Sequence, residues 1–168
     1  MENNARYLEI CWAAHRSGLY FTPIPAHLTA QEAAHILADS SAKLLVTSKA
    51  IDGAVALLRE GVSTLTHLKH IFSVGPTLEG VDSWERASEG QPCLRIADEQ
   101  AGQHMVYSSG TTGRPKGVKI PLSGAPAEEP LKFVTILQHQ YGVSTESVYL
   151  SPAPCLLYTS PSPRDRSS

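Results

Sequence analysis

Two strand-length runs with a helix-length segment between them constrain the fold of this chain more than any other feature. Residues 43–47 and His70–Val74 are largely apolar runs, and the segment 51–60 carries apolar residues at helical spacing. Short apolar runs of this kind are typical of parallel strands that are buried on both faces. Strands that alternate with helices through short connections indicate βαβ units. The expected fold class is therefore α/β, with part of a parallel sheet flanked by helices.

The first forty residues extend this alternation with two helices and a strand. The segment 5–18 has helical periodicity and a stop signal at Gly18, and a short strand is predicted at 20–25. Thr29 and Glu32 have the spacing of a capping box, which predicts that a second helix starts there. The residues that define the two helix faces are Leu8, Cys11, Trp12, His15 and Leu19 in the first, and Ala33, Ala34, Leu37 and Ala38 in the second.

The rest of the chain continues the pattern with longer connections. Turn residues and apolar periodicity define each element. The predicted elements are a loop at 76–80, a helical turn at 83–88, a strand at 103–108, an extended segment at 118–122, a loop at 123–130, a helix at 131–141 and a strand at 147–151.

The strand predicted at 103–108 runs into a segment whose composition does not serve packing. Residues 108–117, here called the glycine-rich segment, contain three glycines, four hydroxyl side chains, one proline and two cations. Glycine costs backbone entropy and buries no side chain, whereas amides, hydroxyls and cations together suit a polyanion. Between Glu99 and Glu128 the only formal charges are Arg114, Lys116 and Lys119. We interpret the segment as a phosphate-binding loop for ATP, the alternative being an exposed glycine-serine turn.

The candidate loop differs from a Walker A loop. That motif places Gly-Lys-Ser/Thr five residues after its first glycine, whereas here Pro115 stands five residues after Gly110. A Walker A loop also leads into a helix, while Gly117 leads into a segment that is predicted to be extended. We therefore expect a loop that joins two strands. Its predicted cofactor-binding residues are Ser108, Ser109, Gly110, Thr111, Thr112, Gly113, Arg114, Pro115, Lys116 and Gly117.

Each residue type in the glycine-rich segment has an expected role. The first two glycines permit a tight bend, and Pro115 restricts the loop before anything binds. Thr111 and Thr112 would donate hydrogen bonds to phosphate oxygens, and Lys116 would place a point charge on the terminal phosphates. The segment would therefore act by positioning phosphates rather than by covalent chemistry.

The string YSSGTTGRPKG at residues 107–117 resembles the phosphate-loop signature of the adenylate-forming superfamily. This superfamily comprises acyl-CoA synthetases, luciferases and peptide-synthetase adenylation domains. Residues 8–28 are similar to the same region of bacterial fatty-acyl-CoA synthetases, and residues 148–154 resemble a segment that follows the loop in them. The resemblance covers roughly residues 3–154 and favours the acyl-CoA synthetase branch, with a peptide-synthetase adenylation domain as an alternative.

The resemblance implies a two-step ligase that uses ATP, Mg²⁺ and coenzyme A. A carboxylic acid would react with ATP to give acyl-AMP and pyrophosphate, and coenzyme A would then take the acyl group. The catalytic residues would be Lys116 and Thr111, both through phosphate positioning. A threonine of this loop lies near Mg²⁺ in the family, and Thr111 is its expected counterpart.

The sequence departs from the family pattern in its last part. After a segment like 151–154 the family continues with Leu-Tyr-His, whereas this chain continues with Cys155 and a serine- and proline-rich stretch. The family's acidic residue for Mg²⁺, its ribose-binding aspartate and its C-terminal lysine have no counterpart in the 168 residues. The expectation is a fragment of an AMP-binding domain at 1–154, inactive without the missing remainder of its chain. Residues 155–168 are expected to be a disordered, non-native tail.

Composition argues against several function classes. A net charge of −2 and a pI of about 6.4 provide no basic surface for nucleic acid. Three widely spaced cysteines indicate neither a disulfide framework nor a zinc site, and they favour a cytoplasmic protein. Neither a transmembrane run nor a signal peptide is predicted. The expected partners are ATP and a carboxylic acid, and the competing hypothesis is a non-catalytic nucleotide-binding module that retains only the loop.

Three further signals carry weaker hypotheses. His67 and His70 have a spacing that metal sites use, but no third ligand lies near them in the sequence. Ser108 and Ser109 are not part of a Gly-x-Ser-x-Gly elbow, so an acyl-transfer nucleophile is not favoured. Lys119 is as compatible with a solvated surface as with steering of phosphate towards the loop.

Overall fold

The structure is a computed structural model of the 168-residue chain, and it describes residues 1–2, 4–60, 64–108, 115–129 and 132–148. Its helices are α1 Ala5–Arg16, α2 Ala30–Asp39, α3 Asp52–Glu60, α4 Trp84–Ser88 and α5 Lys132–Tyr141. Its strands are β1 Tyr20–Phe21, β2 Leu44–Ser48, β3 His70–Val74, β4 Asp82–Ser83, β5 Gln103–His104, β6 Val106–Ser108 and β7 Lys116–Val118.

Parallel strand pairs confirm the α/β fold class. Strands β2, β3 and β4 form one parallel sheet in that order, in which Leu44 pairs with His70 and Ser48 with Val74. Strand β1 pairs in parallel with β5 in a second sheet. Helix α3 connects β2 to β3, as the alternation of apolar segments predicted.

The strand predicted at 103–108 is divided at Met105. Strand β5 pairs with β1, and the backbone amide of the buried Met105 donates to the Phe21 carbonyl at 2.9 Å. The chain then leaves β1, and β6 pairs in antiparallel fashion with β7. The prediction of one continuous strand was wrong because successive parts of the segment take different partners.

Three other predicted boundaries change. Strand β1 contains only Tyr20 and Phe21 of the predicted 20–25, where Pro23 and Pro25 lack the amide that a ladder needs. Strand β7 begins at Lys116, two residues before the predicted extended segment. Ser147 and Val148 are not in a strand, because the Ser147 amide closes a turn onto the Ser144 carbonyl. Residues 149–151 of that predicted strand lie outside the described residues.

Helices α2 and α3 build the core cluster with small and branched side chains. The Thr29 hydroxyl accepts from the Glu32 amide at 3.3 Å, and the Glu32 carboxylate accepts from the Thr29 amide at 2.9 Å, which confirms the capping box. The bond from the Thr29 amide, together with a 2.8 Å bond that the Thr29 hydroxyl donates to the same carboxylate, lowers the pKa of the Glu32 carboxyl. The cluster beneath this helix start consists of Ala30, Ala33, Leu37, Leu57 and Leu65.

Burial is less complete than the apolar patterns predicted. Leu44 at the start of β2 is 46% exposed, and only Thr47 and Ser48 at its end are buried. On α1 the predicted apolar face is largely exposed, with Leu8 at 57% and Trp12 at 58%. Helix α1 and strand β2 form where the sequence predicted them, but in the described structure few groups cover their apolar sides.

Candidate functional site

Strands β6 and β7 bring the two ends of the glycine-rich segment together. Tyr107 pairs with Gly117, and Ser108 pairs with Lys116 at the end of the ladder nearest the connecting residues. The segment therefore connects two antiparallel strands, which confirms the strand-to-strand connection that distinguishes it from a Walker A loop. Among the predicted site residues, Ser109, Gly110, Thr111, Thr112, Gly113 and Arg114 lie outside the described residues, so their predicted roles stay predictions.

The described residues at the ends of the segment are accessible. Ser108 and Lys116 are both exposed, and Pro115 is half-buried. The Lys116 ammonium forms no hydrogen bond or ion pair with any residue in the described ranges. A cation that is held on a strand without an internal partner is available to a bound anion.

Gly117 lies directly beneath the ring of Tyr107. A Cβ atom at Gly117 would be 2.5 Å from Met105 Cε and 3.0 Å from Tyr107 Cζ. A ring atom of a packed tyrosine has less freedom to move away than the end of a flexible side chain. Packing against Tyr107 and Met105 therefore favours glycine at position 117. This reason is additional to the predicted approach of the backbone to phosphate.

We expect Gly117→Ala to lower the free energy of unfolding by about 1–2 kcal/mol, because an added methyl group in a packed site forces neighbours to shift. Urea denaturation followed by circular dichroism measures the change. Val118→Ala is the control, since Val118 is 51% exposed on the same strand. Equal stability of Gly117→Ala and the unsubstituted chain would contradict the packing role.

Helix α2 contacts β6 and the residue that precedes β7. The Tyr107 hydroxyl donates to Asp39 Oδ2 at 2.6 Å, and His35 Nε2 lies 3.2 Å from the Pro115 carbonyl oxygen. Burial, together with the Asp39 carboxylate, raises the pKa of the Tyr107 phenol well above its usual value. Sequence reasoning placed His35 on a helix face as a partly buried structural residue, and it assigned neither His35 nor Asp39 to the site. The available signal was an acidic residue at the last position of a helix, where the helix dipole disfavours it.

The second cation downstream of the segment has a partner in β1. Lys119 Nζ lies 4.5 Å from the centre of the Tyr20 ring, within the range of a cation–π interaction. The Tyr20 hydroxyl donates to the Ile120 carbonyl at 2.9 Å, so this tyrosine joins β1 to the chain after β7. Lys119 thus has a structural contact, unlike Lys116.

The weaker metal hypothesis receives no geometric support. The His70 ring stacks against Phe72 with ring centres 6.5 Å apart. Within the ranges that the structure describes, no group of three or more His, Cys, Asp or Glu side chains could hold a metal ion.

An apolar cavity of about 600 Å³ lies between β1 and β2. Side chains of α1 and α2 also line it, together with Met105 and Lys119. Strands β1 and β2 belong to different sheets, so residues of both sheets line the cavity. Its lining joins the first half of the chain to Met105, the residue between β5 and β6.

Comparison with models of protein families identifies the family of this chain. The model of the AMP-binding enzyme family matches residues 1–160, nearly the whole chain. The chain belongs to the AMP-binding enzyme family. The resemblance inferred from the glycine-rich segment is thereby confirmed, and the chain is part of an enzyme.

Curated relatives of this family member are CoA ligases. The 4-hydroxybenzoate–CoA/benzoate–CoA ligase of Rhodopseudomonas palustris is 34% identical over 112 residues, which cover 64% of this chain and 20% of that protein. The crotonobetaine/carnitine–CoA ligase of Salmonella arizonae is 35% identical over 120 residues, covering 66% of this chain and 22% of that protein. The chain thus spans about a fifth of the length of these relatives.

Solved structures agree with this family assignment. The apo structure of MbtA from Mycobacterium smegmatis has a TM-score of 0.57 and 27% identity over 70% of this chain and 22% of that one. The fatty acyl CoA synthetase of Mycobacterium tuberculosis has a TM-score of 0.56 and 21% identity, with the same coverage, and supports the fold. In the part of the AMP-binding chain that is described, no helix combines the length and apolarity needed to cross a membrane.

Proposed function

We propose that the chain is the phosphate-binding portion of an ATP-dependent acyl-CoA ligase, and that residues 108–117 hold the phosphates of ATP. The observation that carries the proposal is the placement of the glycine-rich segment between β6 and β7, with the Lys116 ammonium exposed and unpaired among described residues. Membership of the AMP-binding enzyme family and the CoA-ligase relatives support the same activity.

In the proposed first step, a carboxylate oxygen of the substrate attacks the α-phosphorus of ATP. The bond from that phosphorus to the bridging oxygen of the β-phosphate breaks, so that acyl-AMP forms and pyrophosphate leaves. Lys116 and the hydroxyls and amides of the segment would stabilise the charge on the β- and γ-phosphates. This contribution is positioning and electrostatic stabilisation.

In the proposed second step, the thiolate of coenzyme A attacks the acyl carbon, and AMP leaves. The relatives are named for aromatic and carnitine-like acids, so we propose only a carboxylic acid as the substrate class. The complete reaction is proposed for a longer protein that contains residues 1–154, because the chain spans about a fifth of its relatives. We propose that the 168 residues alone do not complete either step, and that 155–168 are a non-native tail.

Magnesium fits this proposal as a companion of ATP. Mg²⁺ keeps several water ligands and is commonly held by substrate phosphates and one or two protein oxygens. Thr111 would supply one such oxygen. When bound, the ion would neutralise charge on the phosphates.

The proposal is tested with MgATP and the Lys116→Ala chain. We expect the dissociation constant for MgATP to rise at least tenfold, roughly the effect of losing one charge-assisted contact to phosphate. Isothermal titration calorimetry measures it, and Lys69→Ala is the matched control because Lys69 is an exposed lysine on the connection into β3. Unchanged affinity in Lys116→Ala would refute the phosphate role.

The competing hypothesis, a nucleotide-binding module without ligase chemistry, is separated by pyrophosphate exchange. A longer protein that contains this chain should exchange labelled pyrophosphate into ATP when the correct carboxylic acid is present. Binding of MgATP without exchange for any acid in a broad panel would favour the module. Exchange by the isolated 168 residues would contradict their proposed inactivity.

A further inference from the structure

Helix α2 contacts the chain on each side of residues 108–114. Asp39 accepts a 2.6 Å hydrogen bond from Tyr107, which lies on β6 where the chain enters the segment. His35, one turn earlier on the same helix, lies 3.2 Å from the Pro115 carbonyl, immediately before β7. A carbonyl oxygen only accepts, so His35 Nε2 must carry the proton in this contact. The two contacts therefore bracket residues 108–114.

Residues i and i+4 of a helix lie on one face, so His35 and Asp39 form a pair with a set spacing. Helix α2 is anchored on its other side by Ala33 and Leu37, which belong to the core cluster. The helix is thus a firm base for both contacts. The spacing of the two side chains sets the positions of Tyr107 and Pro115 relative to each other.

The Tyr107 contact restrains both strands of the hairpin. Its ring crosses Gly117 on β7, where no side chain intervenes, before the hydroxyl reaches Asp39. The Ser40 hydroxyl also lies beside the same phenol. One tyrosine therefore connects β6, β7 and the end of α2.

The carboxylate of Asp39 occupies an electrostatically unfavourable position at the end of α2. A carboxylate at the last residue of a helix opposes the helix dipole. Near a loop that binds a polyanion, the same carboxylate would also repel the ligand. The hydrogen bond to Tyr107 is its one described contact that offsets these costs, and it positions the strand instead of touching the ligand.

We propose that His35 and Asp39 are positioning residues that set the geometry of the glycine-rich segment for the phosphates of ATP. This inference rests on the proposed function of the segment as a phosphate loop. It differs from that function in assigning a role to α2, which lies some seventy residues earlier in the chain and contributes no residue to the segment.

The test compares deletion and conservative variants at both positions in the 168-residue chain. Asp39→Ala and His35→Leu remove the contacts, whereas Asp39→Asn keeps a hydrogen-bond acceptor and His35→Gln keeps a donor. Gln31→Ala is the matched control, because Gln31 is exposed on α2 one turn before His35. The readouts are the dissociation constant for MgATP by calorimetry and the hydrogen exchange of backbone amides in β6 and β7.

We expect Asp39→Ala and His35→Leu each to weaken MgATP binding by about fivefold, the effect of one lost intramolecular hydrogen bond. Both should also accelerate amide exchange in β6 and β7. Asp39→Asn and His35→Gln should recover most of the affinity, and Gln31→Ala should match the unsubstituted chain. Tyr107→Phe combined with Asp39→Ala should be no weaker than either single variant, because both remove the same bond.

The outcomes separate this inference from the proposed function. Unchanged exchange in β6 and β7 for both deletion variants would overturn the inference, whatever happens to affinity. Faster exchange with unchanged affinity would also overturn it, since the contacts would then not position the ATP site. If the unsubstituted chain does not bind MgATP, the phosphate role of this chain fails, and with it the positioning for ATP. Accelerated exchange in Asp39→Ala would then still establish the contact as a strand restraint.

Discussion

Replacing Gly102 by alanine should lower the free energy of unfolding by about 3 kcal/mol, the upper part of the range for added atoms in a packed site. A Cβ atom there would lie 2.8 Å from the Ala14 carbonyl oxygen and 2.9 Å from the Leu19 amide nitrogen, and closer still to the Leu19 carbonyl oxygen. All three neighbours are backbone atoms, which cannot rotate away as a side chain can. The whole junction between α1 and β5 would have to shift.

The same junction is closed by hydrogen bonds that such a shift would disturb. The Gly102 amide donates to the His15 carbonyl at 2.6 Å, and the buried His15 ring donates through Nδ1 to the Gly102 carbonyl at 2.9 Å. The Gln103 amide donates to the Leu19 carbonyl at 3.1 Å. Because β5 continues through Met105 into β6, displacement here should also reach the strand that enters the glycine-rich segment.

Urea denaturation measures the effect of Gly102→Ala, with Gly124→Ala as the control. Gly124 has a φ of 67° and open space where a Cβ would be, so alanine there costs about 1 kcal/mol of backbone strain without a clash. A Gly102→Ala variant no less stable than Gly124→Ala would show that the α1–β5 junction relaxes easily.

Leu37→Ala should also destabilise the chain by about 3 kcal/mol, as expected for a leucine truncated in a packed core. Leu37 is 4% exposed and lies in the cluster formed with Ala30, Ala33, Leu57 and Leu65. The truncation removes apolar burial and leaves a cavity under α2. If α2 positions the glycine-rich segment, the same variant should weaken MgATP binding.

The matched control for this second prediction is Leu94→Ala. Leu94 is 82% exposed, so the identical change should alter the free energy of unfolding by less than about 0.5 kcal/mol. Comparison of the two unfolding midpoints shows the effect of burial for an identical change of side chain. Equal midpoints would contradict the assignment of Leu37 to the core.

Several parts of the fold could be predicted because their causes are local. The capping box at Thr29 and Glu32 involves residues three positions apart, and it is present as expected. The runs that became β2 and β3 have lengths and compositions that suit parallel strands, and they pair in register. The glycine-rich segment carried its family signature in one continuous string, and the family comparison confirmed it.

Other parts could not be predicted, because they depend on which distant residues meet. The division of 103–108 into β5 and β6 follows from a change of partner at Met105, which local composition does not reveal. Leu8 and Trp12 repeat at helical spacing, and α1 forms, yet both side chains are largely exposed. Periodicity identifies an apolar face but not what covers it.

The candidate site, too, has a part that local sequence predicts and a part that depends on distant residues. Residue types and their order in 108–117 were enough to infer a phosphate loop, because hydroxyls, amides and cations bind anions by their own chemistry. The hydrogen bonds of Asp39 with Tyr107 and of His35 with Pro115 join residues 68 and 80 positions apart. Hydrogen bonds over such separations exist only after α2 has packed on its core. The anion-binding groups could be read from neighbouring residues in the sequence. Their relative positions depend on contacts between distant residues, which only the tertiary structure shows.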